Sequence, residues 1–200
     1  MSTDESGDEP GWRILSGQTI FDNPWIRLRR YAALAPTGAA ADYALVHFKK
    51  IAVGVLPIDS DGSVHLVGQS RFSLGAYSWE APEGGCEPNE DPLECARREM
   101  AEESGVQAEH ILKILEMDLS NSVTDEQSIC YIAWGLSLAS GTLDAVELLR
   151  RRRVPFLEAV QDAAQGRIRD SLTVAMLFRA HHMAATGLLP PALAQAMLGC

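Results

Sequence analysis

The sequence predicts an α+β domain, or an α/β/α layered one, preceded by a small antiparallel β-sheet. Three observations support this prediction. Strand-like segments and segments of helical spacing are intermixed along the 200 residues rather than gathered into separate halves. An apolar content of 46% with 22% charged residues is enough for one well-buried core and a small appended subdomain. No internal repeat or low-complexity linker interrupts the chain.

Residues 1–11 are rich in Asp, Glu, Ser and Gly with almost nothing to bury, which predicts a disordered acidic tail. Residues 12–48 alternate short apolar stretches with turn residues: Ile26 and Leu28 interleave with Arg27 and Arg29, Pro36-Thr37-Gly38 breaks the pattern, and Tyr43 to Phe48 resumes it. This is the predicted N-terminal antiparallel β subdomain. Trp25 and Tyr31 are read as its core residues, with base stacking as the alternative.

Residues 49–187 form the predicted main domain. Ile51 to Ile58 is a near-continuous apolar run; the turn Asp59-Ser60-Asp61-Gly62 and the run Val64 to Gln69 follow it, which together predict a hairpin of central strands. Ile111 to Met117 and Ile129 to Trp134 are further strand candidates. Pro155 to Gln165 and Asp170 to Met183 have helical spacing, the first closed by Gly166 and the second opened by Asp170 as N-cap. Residues 188–200 are expected to form a tail or a short helix.

The net charge of −10 argues against nucleic-acid or anionic-membrane partners, because either needs a basic face to displace counterions. An anionic small molecule must then be met by locally placed arginines or by a metal. No run reaches the roughly 18 apolar residues of a membrane span, and Met1 to Pro10 is acidic and polar, unlike a signal peptide. Cys86, Cys95, Cys130 and Cys200 are scattered without CxxC spacing, which suggests neither zinc nor a disulfide framework. A reducing cytoplasm fits best.

The segment from Trp79 to Val106 carries the chemistry. Asp91 is a good N-cap, Pro92 suits the first helical position, and Glu94 completes a capping-box-like arrangement, so a helix should start there and stop at Gly105. Leu93, Ala96 and Met100 form one apolar stripe, while Glu99, Glu102 and Glu103 crowd another side. Each like-charge pair costs about 0.2 to 0.5 kcal/mol on an exposed helix, and more when partly buried, so a cation among them would make sense. Oxygen-only ligands select a hard ion such as Mg²⁺ or Mn²⁺. A solvated acidic face is the plain alternative, but the Gly84-Gly85 turn ahead of the helix allows a close backbone approach that such a face does not need.

Gly84, Glu90, Arg98-Glu99-Met100, Glu102-Glu103 and Gly105-Val106 stand at the fixed spacings of the Nudix box, and the chain resembles that hydrolase family. Gln69-Ser70-Arg71, Trp79-Glu80 and Pro82 ahead of the box, and Arg169-Asp170-Ser171-Leu172-Thr173 after it, resemble the ADP-ribose pyrophosphatase and nucleoside diphosphate-sugar hydrolase subgroup. The resemblance implies a Nudix-type α/β/α sandwich with a mixed sheet. It implies Mg²⁺-dependent cleavage of a nucleoside diphosphate linked to another moiety, ADP-ribose or a related nucleotide sugar, giving a nucleoside monophosphate and a phosphorylated product.

Carried over residue by residue, the resemblance makes Glu99 and Glu103 metal ligands, with Glu102 and Glu80 close by and the Gly85 or Cys86 carbonyl as a backbone ligand. Mn²⁺ is the expected substitute for Mg²⁺. Arg98 would orient a carboxylate; Gly84 and Gly85 would lie against the substrate. Glu102 and Glu103 also enter the catalytic set. In this subgroup the base often comes from a loop after the box, here Ser140 to Leu148, with Glu147 the first candidate and Asp144 the second. Asp125 and Glu126 form a rival pair on another loop, Glu126 also being a substrate contact.

Arg71 is the candidate for binding phosphate through its planar fork, with a surface salt bridge as the alternative. Arg150 to Arg153 should alternate faces along a strand and be solvated, and His181 and His182 should cap a helix or face water. ADP-ribose pyrophosphatases commonly carry a proline downstream of the box where this chain has Asn121, so a different nucleotide substrate stays open. A Nudix-like regulator that binds a nucleotide without cleaving it is the rival of another class; such proteins usually lose box carboxylates, which this chain retains. Relatives in the subgroup are commonly homodimers, and residues 12–48 are the candidate dimerisation element.

Overall fold

The computed structural model describes residues 11–139 and 149–199, and the chain divides into two compact units. The first runs up to Lys50 and includes Asp118–Glu126. Its sheet has strands β1 (Arg13–Asp22), β2 (Ile26–Leu34) and β3 (Ala40–Phe48), antiparallel and in that order. Asn23 makes the β1–β2 turn by accepting from the amides of Trp25 (2.9 Å) and Ile26 (2.8 Å), an Asx turn. The 118–126 segment is tied to β3: Val46 N donates to Val123 O at 2.9 Å, Phe48 N donates to Asp125 Oδ1 at 2.8 Å, and His47 links Asp125 (2.6 Å) to the Tyr31 hydroxyl (2.7 Å).

Tyr31 and Ala33 are buried in this unit, whereas Trp25, expected in the core, is 65% exposed. It sits on the turn that Asn23 organises, where the backbone is fixed by polar bonds and the side chain is carried out toward solvent. Ile14, Leu15, Ile20 and Phe21 of β1 are also exposed.

The second unit comprises Ile51–Met117 and continues from Gln127. Its central strand is β4 (Ala52–Pro57), followed by β5 (Ser63–Arg71), β6 (Ala76–Glu80) and β7 (Glu83–Gly85). Helix α1 (Pro92–Glu99) runs into a π-helical turn (Met100–Ser104). Strands β8 (Val106–Leu119), β9 (Glu126–Leu138) and β10 (Arg150–Pro155) and helices α2 (Phe156–Ala164), α3 (Ser171–Ala185) and α4 (Pro191–Leu198) complete it. One sheet has the order β7-β4-β9-β8, with β4 parallel to β9 and antiparallel to β7; the other, antiparallel, has the order β10-β5-β6.

This mixed sheet is covered on both faces. Val53 and Val55 of β4 join Ala96 and Met100 of the α1 segment in one buried cluster. On the other face Gly54 has no side chain, and Met176 and Leu172 of α3 fill the space where its Cβ would stand. The result is the α/β/α sandwich expected from the intermixed pattern. Burial on both faces explains why β4 reads as a continuous apolar run.

The predicted hairpin of β4 and β5 is corrected by the structure. Both strands exist and Asp59 to Gly62 turns between them, but only the Ile58 to Val64 bridge joins them, and they belong to different sheets. Both edges of β4 are already taken, by β7 and β9, so β5 must pair elsewhere, with β10 and β6.

Helix termini follow the sequence closely. Asp91 Oδ1 accepts from Leu93 N at 2.9 Å, Pro92 opens α1, and Gly105 ends the π turn at φ 77°. Glu94, read as the reciprocal member of a capping box, engages Arg97 at 3.5 Å. Asp170 caps α3 by accepting from Thr173 N at 2.7 Å, and Gly166 follows α2 with φ 70°.

Gly62 occupies the left-handed region at φ 78°, and a Cβ there would lie 1.9 Å from the backbone oxygen of Ala196 on α4. Gly62→Ala is therefore expected to destabilise the protein by about 2 kcal/mol or more, beyond the 1–2 kcal/mol of the left-handed conformation alone. Urea denaturation measures it; a wild-type midpoint would contradict the close approach.

Candidate active site

The acidic side chains come from three pieces of chain. The α1 helix and its π turn supply Glu99, Glu102 and Glu103; the end of β6 and start of β7 supply Glu80 and Glu83; the N-cap of α3 supplies Asp170. Backbone contacts hold these pieces together. Glu83 N donates to Glu103 Oε2 at 2.9 Å, which joins β7 to the π turn. Ala81 N donates to Thr173 Oγ1 at 2.9 Å, which pins the first turn of α3 to the β6–β7 corner and brings Asp170 with it.

Gly84 lets Glu99 into the site. An ideal Cβ at that position would stand 2.2 Å from Glu99 Cδ and Oε1, so any larger residue would expel the carboxylate. Gly84 is thus needed for that side chain to approach the backbone. Gly84 pairs with Val53 and Gly85 with Ala52, which fixes both glycines against β4. Cys86 is buried beside Cys95, and burial pushes both thiols up, away from the thiolate form.

Two arginines stand among the carboxylates. Arg98 donates to Glu90 through Nε (2.9 Å) and a terminal nitrogen (3.0 Å), to Glu99 at 2.7 Å and to Glu102 at 3.1 Å. It therefore holds the Glu99, Glu90 and Glu102 carboxylates in place. Arg71 bonds both oxygens of Glu80, with Nε at 2.9 and 3.1 Å, and Glu83 Oε1 at 2.7 Å. The fork expected to hold phosphate is engaged by carboxylates, which is the ion-pair alternative weighed for Arg71.

The electrostatics follow from this crowding. Burial first, then the charges of Asp170 and Glu80, push the Glu83 carboxyl well above the usual Glu value, with Arg71 opposing. Burial likewise raises Glu99 against the pull of Arg98. The hydrogen bonds from Arg98 hold Glu90 down at about 2. Glu80 is 2% exposed and Glu103 7%, so both carboxylates are removed from water.

Among the described residues, Glu80, Glu83 and Asp170 are the acids that converge, with one oxygen from each lying within 4.8 Å of the others. Glu83 and Asp170 went unrecognised as site residues in the sequence. Glu83 directly precedes the Gly84-Gly85 turn, a placement that marks it as close to the box, and Asp170 was read as a helix cap within the stretch Arg169 to Thr173 that resembles the subgroup. Glu126 opens β9 and belongs to the first unit, and burial raises its carboxyl. Glu147 and Asp144 lie outside the described residues.

The arginine run corrects another expectation. Its side chains do alternate, but they are partnered rather than simply solvated. Arg150 and Arg152 lie over the rings of Tyr77 (5.9 Å) and Trp79 (4.5 Å). Arg153 reaches Asp59 and Asp61, and Arg151 donates to the carbonyls of Glu102 and Glu103. Nearby acids and the carbonyls of a helix end supply partners that a strand pattern does not reveal.

Residues 48–173 match the model of the NUDIX domain. The chain is 28% identical over 187 residues to an ADP-ribose pyrophosphatase of Mycobacterium tuberculosis, covering 92% of this chain and 89% of the relative. It is 31% identical over 128 residues to a GDP-mannose pyrophosphatase of Yersinia enterocolitica, covering 58% of this chain and 65% of the relative. A solved structure described as an ADP compounds hydrolase shares the fold, with a TM-score of 0.80 at 21% identity over 92% of this chain and 100% of that one.

Because Arg98 depresses Glu90, the stabilisation from this pair is fully present above the ordinary carboxylate range and is lost as pH falls toward about 2. Arg98→Ala is expected to return the Glu90 titration toward 4.5, read by carbon-detected NMR. An unchanged Glu90 titration in that variant would show that Arg98 is not the cause.

Proposed function

The chain belongs to the NUDIX family, and from that membership we propose that it hydrolyses the diphosphate bond of a nucleoside diphosphate linked to another group, using Mg²⁺ with Mn²⁺ as a substitute. The observation that carries this reading is the retained box: Glu99 cradled by Gly84, Glu103 tied to β7, and Glu102 and Glu99 both held by Arg98. An inactive nucleotide-binding regulator would not need this full set of carboxylates.

The donor set fits a hard divalent cation. The box side chains facing one another are carboxylates, the nearby thiols are protonated, and Gly84 leaves the space a cation ligand requires. Glu99 and Glu103 would hold the ion, with Glu102, Glu80 and the Gly85 or Cys86 carbonyl beside it. When bound, such an ion neutralises phosphate charge and lowers the pKa of an attacking water.

The chain's own residues do the positioning. Arg98 fixes the Glu99 carboxylate through a 2.7 Å hydrogen bond, and Glu83 N fixes Glu103. Arg71, whose fork is planar and permanently charged, binds a substrate phosphate once it exchanges a carboxylate for a phosphate oxygen. Gly84 and Gly85 allow the diphosphate to lie against the backbone. Glu147, with Asp144 second, is the proposed base, and Glu126 its rival and a proposed substrate contact.

ADP-ribose or a related nucleotide sugar is the proposed substrate class. Relatives named for ADP-ribose and for GDP-mannose support a nucleotide sugar while leaving the base and sugar to assay. We further propose a homodimer through the first unit's sheet, supported by the exposed Ile14, Leu15, Ile20 and Phe21 of β1. A reducing cytoplasmic location is supported by the buried free thiols of Cys86, Cys95 and Cys130; no helix among the described residues is long and apolar enough to cross a membrane.

Incubation with ADP-ribose, sugar nucleotides, dinucleotides and nucleoside triphosphates in the presence of Mg²⁺ tests the reading. Turnover of at least one diphosphate-linked nucleotide to a nucleoside monophosphate is expected, and Glu103→Gln should reduce that turnover by about a hundredfold or more while leaving the melting transition cooperative. Tight nucleotide binding without turnover of any member of the panel would contradict an enzyme.

A further inference from the structure

We infer that the first unit carries an anion site of its own, on the face of its sheet that holds Arg27, Arg29 and His47, and that its ligand is a phosphate monoester. Alternate residues of a strand share a face, so Arg27 and Arg29 of β2 project together. His47 of β3 stands directly across from Arg27. These three side chains, with Phe48, Lys49 and Asp125, line a cavity of about 550 Å³ that belongs wholly to the first unit. None of them is part of the box.

Arg29 is the side chain that wants a ligand. Its Nε is buried with no hydrogen-bond partner, and its guanidinium lies over the face of the Tyr31 ring, 4.9 Å from the centroid, rather than against a carboxylate. A partly buried donor left without an acceptor is costly. The fold nevertheless makes room for it. Gly17 of β1 pairs with Tyr31, and a Cβ there would lie 2.7 Å from Arg29 Nη2 and 2.9 Å from the ring. Glycine weakens a strand interior, and Gly17 is not among the glycines with positive φ, so its place is explained by this close approach and not by a turn.

The charges around it select an anion. Arg27 and Lys49 share one carboxylate, Asp22, while Asp125 is engaged by His47 Nδ1 at 2.6 Å and by Phe48 N at 2.8 Å. Three cations thus face two carboxylates, a local positive excess in a chain whose net charge is −10. His47 is fixed at both ring nitrogens, by Asp125 and by the Tyr31 hydroxyl at 2.7 Å. The tetrahedral oxygens of a phosphate can accept from two guanidinium forks at once, from directions that a planar carboxylate does not offer. Phe48, 38% exposed, leaves apolar surface in the same cavity for the esterified group. Both products of the proposed hydrolysis are phosphate monoesters; that link rests on the family reading above, whereas the binding site does not.

Titration of the full-length protein with inorganic phosphate, ribose 5-phosphate and adenosine monophosphate, read by the arginine Nε–Hε signals in proton–nitrogen NMR, tests the assignment. Chelator in the buffer removes any binding through a cation at the box. The Arg27 and Arg29 signals should shift saturably, and the two monoesters should bind severalfold more tightly than inorganic phosphate. Arg29→Gln and Arg27→Gln should each weaken binding by about tenfold or more. Arg29→Lys keeps the charge and loses the fork, so it should recover part of the affinity. Arg30→Gln is the charge-matched control: Arg30 lies on the opposite face of β2, bonded to Asp42, and its loss should change the affinity by about twofold or less.

Arg27 and Arg29 signals that stay unmoved by all three ligands would overturn the inference. So would equal weakening by Arg29→Gln and Arg30→Gln, the mark of a diffuse field rather than a site. Equal affinity for inorganic phosphate and the monoesters would overturn the esterified ligand. No readout here depends on turnover, so a failure leaves the hydrolase reading standing, and an inactive protein leaves the anion site standing.

Discussion

Negative charge crowded into a small, partly dry volume is the constraint around which the second unit is organised. Glu80 and Glu103 are buried, Glu83 has an oxygen with no donor, and Glu99 lies where only a glycine permits it. Carboxylates do not gather in this way for stability, since each desolvated charge opposes folding unless it is paired. Arg98 and Arg71 supply part of the pairing and at the same time fix the geometry. What they leave uncompensated is the negative charge that the proposed cation would offset.

The surrounding elements are arranged to hold that crowding. The β4 strand is packed on both faces and paired on both edges, so it is a rigid floor for β7 and for Gly84. The π turn after α1 separates the site from a regular helix end, and Arg151 satisfies the carbonyls of Glu102 and Glu103 there. On the other side, the hydroxyl of Thr173 carries the load of bringing α3 against the β6–β7 corner.

The local features of the sequence were the most legible. Asp91, Pro92 and Gly105 announced the start and stop of the box helix because capping depends on near neighbours alone, and Asp170 announced α3 for the same reason. Long-range choices were not legible. The apolar run of β4 and the turn after it look like a hairpin, and only the occupancy of both β4 edges by β7 and β9 sends β5 to another sheet. Glu83 and Asp170 lie far apart in sequence, so their convergence depends on the Thr173 to Ala81 contact, which no local pattern encodes. Trp25 looked like a core residue by type, yet its place on an Asx turn leaves it exposed. The box itself was readable because its fixed spacing is a local property of the chain; the acids that approach it from other elements were not.

The central claim is that these carboxylates serve as a seat for hard cations. Anomalous diffraction at the manganese edge, from crystals soaked in Mn²⁺, addresses it most directly. The expected result is density at coordination distance, roughly 2.0 to 2.6 Å, from oxygens of Glu99 and Glu103. Fully soaked crystals with no manganese against any of these oxygens, and with the Arg71 and Arg98 ion pairs unchanged, would contradict it.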